Sequence, residues 1–531
     1  MQPTFTTLKR TSARARLRMV CPAYPAFNIY SRPARKMTAL GPVCIATAVN
    51  DIPGWDAEII DENNYRFGPT DEAGRPDHTA LQQLRPAQVV GLYGGLTSTI
   101  PRLLEVARLY KSLGAITVAG GQHFVEENVS HALRNGVDVV VLGEGERTIA
   151  ELLECFDRGG DLSDIRGIAF ISGNEVVITA PREPVADFDE LPIPDFAALR
   201  HARLKIYPVS GTRGCNMHCE FCSVKGKPRF ASPERMMEQF ASIFEKRGGR
   251  SFFVVDDLFG HNRAGTLRLC RMLVHYQKRV GKRFSITVQI RLDKARDAEL
   301  LTAMRQAGVN WLAIGMESPI AEELEAMNKH LKPQEMLDLV KLYRKAGFRI
   351  HGMFIFGYPT REATPFRMSA EQRVRRFRRF IRKSKLDTVQ VVLPVPLPGT
   401  ELTARLRGQN RIFSTDCVGL EYYDGSFPLI QPDEPLTPED MQASARKIMG
   451  HFYRPRSLLS VGLNILSFPG IAFQLHRVKA GWRKWYRKWM GDLYRAGGWV
   501  LLRRWTAALH KGDFAAKLRR AESMLRSPEP G

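Results

Sequence analysis

The stretch GTRGCNMHCEFCSVKG, residues 211–226, decides how this chain is read. It places Cys215, Cys219 and Cys222 within eight positions, directly after a short apolar run, 205–209, that predicts a β-strand. Three thiolates at this spacing converge on one point only if the chain loops round a metal ion or cluster. A structural zinc site takes four ligands, and no fourth cysteine or paired histidine stands at finger-like spacing. His218 is the only nearby candidate, and its place inside the loop makes it a strained ligand. Three cysteines on a [4Fe–4S] cluster leave one iron open to substrate, a catalytic arrangement rather than a structural one.

Outward from the loop, the downstream sequence alternates strand and helix patterns. Candidate strands lie at 205–209, 251–255, 283–290, 311–315, 349–356 and 388–393, enough for a partial parallel barrel with its chemistry on the top rim. Upstream, strands at 17–21, 57–60, 89–93, 115–119 and 137–142 alternate with helical patterns such as 100–113 and 149–156. This predicts a doubly wound parallel sheet, which binds ligands beyond the carboxyl ends of its strands. Small and polar residues stand there after three strands: Gly94, Gly95, Thr97 and Ser98; Gly120, Gly121, Gln122 and His123; Gly143, Glu144, Gly145 and Glu146. The expected organisation is a basic arm over 1–15, a first domain over 16–157, a linker with a small hairpin over 158–200, a barrel over 201–400, and a helical region over 401–531.

The CxxxCxxC loop, with Phe221 before its last cysteine, resembles the radical S-adenosylmethionine (SAM) superfamily, which carries this motif after the first barrel strand. The resemblance implies that the open iron chelates SAM and that one electron from the reduced cluster splits the sulfonium bond, yielding a 5′-deoxyadenosyl radical. Residue by residue, it implies SAM contacts from Phe221, from Asp257 in FVVDDLF, from Gln289 and Arg291 ending the third strand, from Glu317 in IGMES, and from Gly352 in GMFIFGYP. LPVPLPGT, 393–400, resembles the turn that closes such barrels.

Upstream, VVGLYGGLTST, VAGGQHFVEE and VVVLGEGERT resemble the cobalamin-binding domain that precedes the barrel in one large class of the superfamily. The expected fold is therefore α/β: an N-terminal doubly wound, Rossmann-like cobalamin-binding domain, then a partial (β/α)6 TIM-type radical SAM barrel and a helical, basic C-terminal region. Cobalamin contacts are implied for Tyr93, Thr97, Ser98, Gly120, Gly121, Gln122, His123, Gly143, Glu144 and Gly145. No DxHxxG motif occurs, so a histidine ligating cobalt from below is not implied, and His123 is assigned a structural or tail contact. The implied cofactors are a [4Fe–4S] cluster, SAM and cobalamin. The implied reaction is methyl transfer to an unactivated carbon, with a non-methylating ring closure or rearrangement as the rival. A reductant such as flavodoxin or ferredoxin is the expected partner. Outside enzymology, the rival is a cluster-bearing binding protein at a membrane.

The chain's 531 residues and 44% hydrophobic content suffice for several cores and exclude disorder as the main state. No apolar run is long and uninterrupted enough to span a bilayer. Few, scattered cysteines beyond the loop suit a reducing cytosol. The +23 net charge resides in residues 1–36, 361–385 and 477–505, each +8, leaving the rest nearly neutral. This suggests that the basicity belongs to attachments. In the last segment Trp482, Trp485, Tyr486, Trp489 and Leu493 share one helical face flanked by Lys and Arg. That pattern predicts a helix in an anionic membrane interface, the alternative being tryptophans packed on the barrel. A lipid substrate follows only from that tail. Nucleic acid ranks last, because no nucleic-acid module is recognisable.

Overall fold

The computed structural model describes residues 14–28, 31–361, 366–466, 479–509 and 512–526. Most of the basic arm, and residues 467–473 of the apolar stretch before the tail, lie outside the described residues. In the first domain β1 (Ala15–Cys21), β2 (Trp55–Asp61), β3 (Val89–Tyr93), β4 (Ile116–Gly120) and β5 (Val139–Val141) pair in parallel. Alternation along β1 sends Leu17, Met19 and Cys21 into the core shared with the barrel. Val20 points the other way, into a separate core under the helix Ile100–Ser112. Both faces are covered, as parallel sheets require.

The stretch 158–200 is more than a linker. β6 (Ile168–Ser172) pairs antiparallel with β5, and β7 (Glu175–Ile178) with β6, while β8 (Leu199–Arg200) joins β2 at the opposite edge. The sheet order is β7-β6-β5-β4-β3-β1-β2-β8. Ile168 and Phe170 are buried there, so the hairpin closes a sheet edge that would otherwise be open.

Charge in this region is not confined to attachments either. Arg18 is fully buried inside β1, where its guanidinium donates to Glu58 (2.8 Å), Gln82 (2.9 Å), Tyr110 (3.1 Å) and the Leu81 carbonyl (3.0 Å). A buried cation persists when its donors are met this fully.

The second sheet runs β9 (Tyr207–Val209), then β12 (Ser251–Val254), β13 (Ser285–Gln289), β14 (Val309–Glu317), β15 (Arg349–Ile355) and β16 (Thr388–Val392), all parallel and in sequential order. Between β9 and β12 lies a two-stranded ribbon, β10 (Thr212–Arg213) and β11 (Arg229–Phe230). The longer helices between the strands are Pro233–Arg247, Arg263–Val280, Ala298–Ala307, Pro333–Lys345 and Ala370–Ser384. Ser232, Asn262, Asp297 and Ser369 accept first-turn amides, and Gly248, Gly281 and Gly308 end three of the helices in left-handed conformation.

The barrel is open at β16, and the C-terminal region covers that edge. Tyr453 Oη accepts from the Val389 amide (2.8 Å) and donates to its carbonyl (2.7 Å). In the helix Lys479–Leu509, Leu502 and Trp505 are buried in the barrel core and Trp499 packs against it. Tyr494 meets Trp311 edge-on at 5.0 Å. Of the face expected to lie in a membrane, Trp485 stacks on Trp489 at 6.0 Å, Tyr486 and Leu493 are exposed, and the side chain of Trp482 lies outside the described residues; Trp499 and Trp505, further along the helix, pack on the protein.

Candidate functional site

β1 is followed by β2 on one side and flanked by β3 on the other, after which the sheet grows away through β4 and β5. Beyond the carboxyl ends at this reversal lies a cavity of about 740 Å³, the expected ligand position in such sheets. Tyr93, Gly120, Gly121, Gln122, Gly143, Glu144 and Gly145 line it. Gly121 sits at φ +131° with its Cα so close to the Gly94 backbone that a Cβ would stand 2.7 Å from the carbonyl. Gly143 differs: at φ +86° a Cβ would meet nothing within 4 Å. Its hydrogen atoms face open space, as a cradle for a ligand would.

Thr97, Ser98 and His123 do not line the cavity; they are buried behind its wall. His123 Nδ1 is 3.1 Å from Thr97 Oγ1, and Asn128 Nδ2 is 3.3 Å from Nε2, so both ring nitrogens are engaged within the protein. Burial pulls its pKa down to about 4, leaving it neutral. Cys21, Tyr24, Thr38 and Asp61, which the sequence reading passed over, do line the cavity. Asp61 is held up at about 6, chiefly by burial, against the lowering effect of the neighbouring Thr38 hydroxyl and of Asn63. Their signal was present, since Cys21 and Asp61 end β1 and β2.

The barrel supplies the other wall: Ser210, Gly211, Thr212, Arg213, Gly214, Val224 and Asp257. These flank the cysteine loop, which is held at three places. At its root, one oxygen of the buried Asp256 accepts from Ser210 Oγ (2.8 Å) and from the amides of Gly211 (2.8 Å) and Thr212 (3.0 Å). In its middle, buried Glu220 takes a bidentate pair from Arg405 (2.7 and 3.0 Å) and a bond from Tyr358 Oη (2.6 Å). Phe221 meets Tyr358 edge-on at 6.1 Å. At its flank, Arg213 and Arg229 are cross-strand partners in the ribbon, an unfavourable pairing of like charges. It is neutralised from the first domain: Glu146 pairs with Arg213, and Glu144 with Arg229 at 2.5 Å. Both guanidiniums also sit over the Phe188 ring, 5.0 and 5.1 Å from its centre. The Glu144 carboxylate is therefore committed to the barrel, and these arginines hold it below the ordinary range against the raising effect of its burial.

Cys219 is buried, and Cys215 and Cys222 are partly so; burial raises the Cys219 and Cys222 thiols. Among the described residues, no three His, Cys, Asp or Glu side chains form a preassembled metal cage. The thiols share one loop without closing around one point.

Around the rim, Glu317 ends β14 at φ +55°, a strained conformation for a side-chain-bearing residue, and its carboxylate pairs with Lys329 at 2.6 Å. Lys329 also donates to the Gly315 carbonyl (2.9 Å), and a Cβ on Gly315 would lie 2.3 Å from Glu317 Oε1. Arg291 reaches the loop, its Nη1 2.7 Å from Met217 Sδ, and Gln289 ends β13. Gly352 departs from expectation. A Cβ there would meet Leu386 at 2.6 Å on the helix side of β15, so the missing side chain makes room for core packing rather than for a ligand.

A family profile described as the radical SAM superfamily matches residues 209–372, and one described as the B12 binding domain matches residues 32–153. The chain carries a radical SAM domain and, ahead of it, a B12-binding domain. An uncharacterized methyltransferase of Pyrococcus horikoshii is 27% identical over 69% of this chain and 79% of its own length. An anaerobic magnesium-protoporphyrin IX monomethyl ester cyclase of Cereibacter sphaeroides is 23% identical over 72% of this chain and 61% of its own length. The radical SAM methyltransferase TsrM from Kitasatospora setae, solved with cobalamin and a [4Fe–4S] cluster, shares the fold at a TM-score of 0.61, 17% identity, and 75% and 78% of the two chains.

The residues of this radical SAM enzyme fit the cofactors that its two domains imply. An all-sulfur donor set in one loop suits a [4Fe–4S] cluster. In the B12-binding domain, the open cradle at Gly143 fits the close approach of a large ligand.

Proposed function

We propose that this enzyme methylates an unactivated carbon of a small-molecule substrate. One observation carries the reading: a single cavity is walled on one side by the turns of the B12-binding domain and on the other by the root of the cysteine loop. When bound, the cluster supplies an electron to SAM and cobalamin supplies a transferable methyl group. Cys215, Cys219 and Cys222 would hold the cluster, Asp256 and Glu220 would fix their loop, and Glu317, Asp257, Gln289 and Arg291 stand on the rim where SAM would bind. Tyr93, Gly120, Gly121, Gln122, Gly143 and Gly145 would form the cobalamin wall. Thr97, Ser98 and His123 would brace that wall, while Phe221 and Gly352 serve through packing. A flavodoxin or ferredoxin in a reducing compartment is the matching electron donor; all eight cysteines are free. The helix Lys479–Leu509 covers the barrel's edge, so it gives no ground for a lipid substrate.

The test is incubation of reconstituted, cobalamin-loaded enzyme with methyl-labelled SAM, reductant and candidate substrates. Labelled product together with 5′-deoxyadenosine supports the reading. Deoxyadenosine with an unlabelled, cyclised or rearranged product would replace it with the chemistry for which the cyclase relative is named. No deoxyadenosine from a protein with full iron content would remove the enzyme assignment from this site.

A further inference from the structure

The segment RVRRFRRFIRK, 373–383, has no part in the chemistry above. It forms most of the helix Ala370–Ser384 on the outer layer between β15 and β16. Arg373 turns inward and pairs with Glu323, both fully buried, while Val374, Phe377, Phe380 and Ile381 pack on the barrel. The opposite face presents Arg375, Arg376, Arg379, Arg382 and Lys383. Arg375 pairs with Glu371; the other four have no carboxylate partner among the described residues. Five cations on one helix face repel one another, and a chain that needed only solubility would intersperse carboxylates.

This face continues across a neighbouring element. Arg378 stands at its border, where its helix packs along Pro438–Phe452, and burial, reinforced by the cations of Arg378 for His451 and of Arg456 and Arg378 for Arg454, disfavours the charged forms of both. Arg454 and Arg456 lead into the helix Arg456–Leu466, whose Leu458, Leu459 and Leu463 are 42%, 66% and 58% exposed. That helix packs along Lys479–Leu509, where Tyr486 and Leu493 are also exposed. Guanidiniums with no carboxylate partner among the described residues therefore adjoin a strip of exposed leucines. Basic residues beside an apolar strip match an anionic bilayer, with phosphates meeting the cations and the leucines entering the acyl boundary. RNA would satisfy the charge but gives no reason for exposed leucines, and bases stack on aromatic rings, which this strip mostly lacks.

We propose that this face, formed by Arg376, Arg379, Arg382, Arg378, Arg454 and Arg456 with Leu458, Leu459 and Leu463, docks the enzyme on an anionic lipid bilayer. Contact is made by the flank of the barrel, and the cavity beyond the carboxyl ends of the strands stays clear of the lipid. The earlier expectation of a tryptophan-led contact is thereby moved to a different surface.

The experiment is flotation of the full-length protein with phosphatidylcholine vesicles, with and without phosphatidylglycerol, at low and high salt. The wild type is expected to float only with phosphatidylglycerol and to be released by salt. Arg376→Gln/Arg379→Gln/Arg382→Gln should weaken partitioning about fivefold per charge, roughly a hundredfold in all. Leu459→Ser should weaken binding without changing its salt dependence. Both variants alter exposed side chains and should keep the wild-type thermal transition and iron content after reconstitution. Equal flotation of the triple variant, flotation with neutral vesicles alone, or binding to RNA with none to vesicles would each overturn the proposal.

Discussion

The pair Glu220–Arg405 offers the sharpest test of how the cysteine loop is held. Glu220 stands between Cys219 and Phe221, and its side chain is only 3% exposed. Arg405 donates twice to it and reaches the carbonyls of Pro359 (3.1 Å) and Thr360 (3.2 Å). Arg405→Met leaves a buried carboxylate with Tyr358 as its remaining side-chain partner. Removing one member of a buried ion pair costs about 3–5 kcal/mol. At about 2–4 °C per kcal/mol for a domain of this size, the thermal transition should fall by about 6–20 °C. The loop should also lose register, so less iron is retained after reconstitution. Glu220→Gln/Arg405→Met removes the orphaned charge and should recover part of the loss. Calorimetry and iron analysis on the wild type, the two single variants Arg405→Met and Glu220→Gln, and the double variant complete the cycle. A single-variant loss under about 1 kcal/mol, or a double variant no better than Arg405→Met, would refute the claim that this pair anchors the loop.

Other expectations follow from the same contacts. Glu144→Gln/Glu146→Gln uncovers the Arg213 and Arg229 repulsion and should destabilise the ribbon by about 2–4 kcal/mol; cobalamin retention on gel filtration should drop with it, and an unchanged transition temperature contradicts the latch. Gly143→Ala, at positive φ, should cost about 1 kcal/mol of stability but reduce cobalamin affinity far more, measured by absorbance titration; equal affinity would disconnect this turn from the ligand. Asp256 is held up at about 6 by burial, against an ordinary 3.8. The folded state therefore keeps a proton that the unfolded chain has lost, and stability falls as pH rises from about 4 to 6, by about 3 kcal/mol. Asp256→Asn retains the oxygen acceptor and should flatten that slope in denaturant titrations; an unaltered slope assigns it elsewhere.

Much of the architecture was legible because it is local. Alternating strand and helix patterns, glycine-rich turns after strands, and three cysteines in one loop are properties of neighbouring residues, and all recur in the folded chain. Even the bounds were close, as with β3 at Val89–Tyr93. The errors lie where a side chain's destination depends on distant sequence. The small hairpin expected within the 158–200 linker joined the sheet only because β5 lay beside it. Arg18 and Arg373 looked like surface charge until Glu58 and Glu323 were brought to them.

By itself, the sequence determined the two-domain α/β organisation and the three-cysteine loop, since periodicity and spacing express themselves within one element or loop. Only the tertiary structure decided what Glu144, His123, Gly352 and the tryptophans face. Glu144 turned to Arg229, 85 positions away, and Glu220 to Arg405, 185 positions away. Such pairs are selected by burial and by the need to neutralise charge in a shared interior, and that interior exists only once both domains have packed.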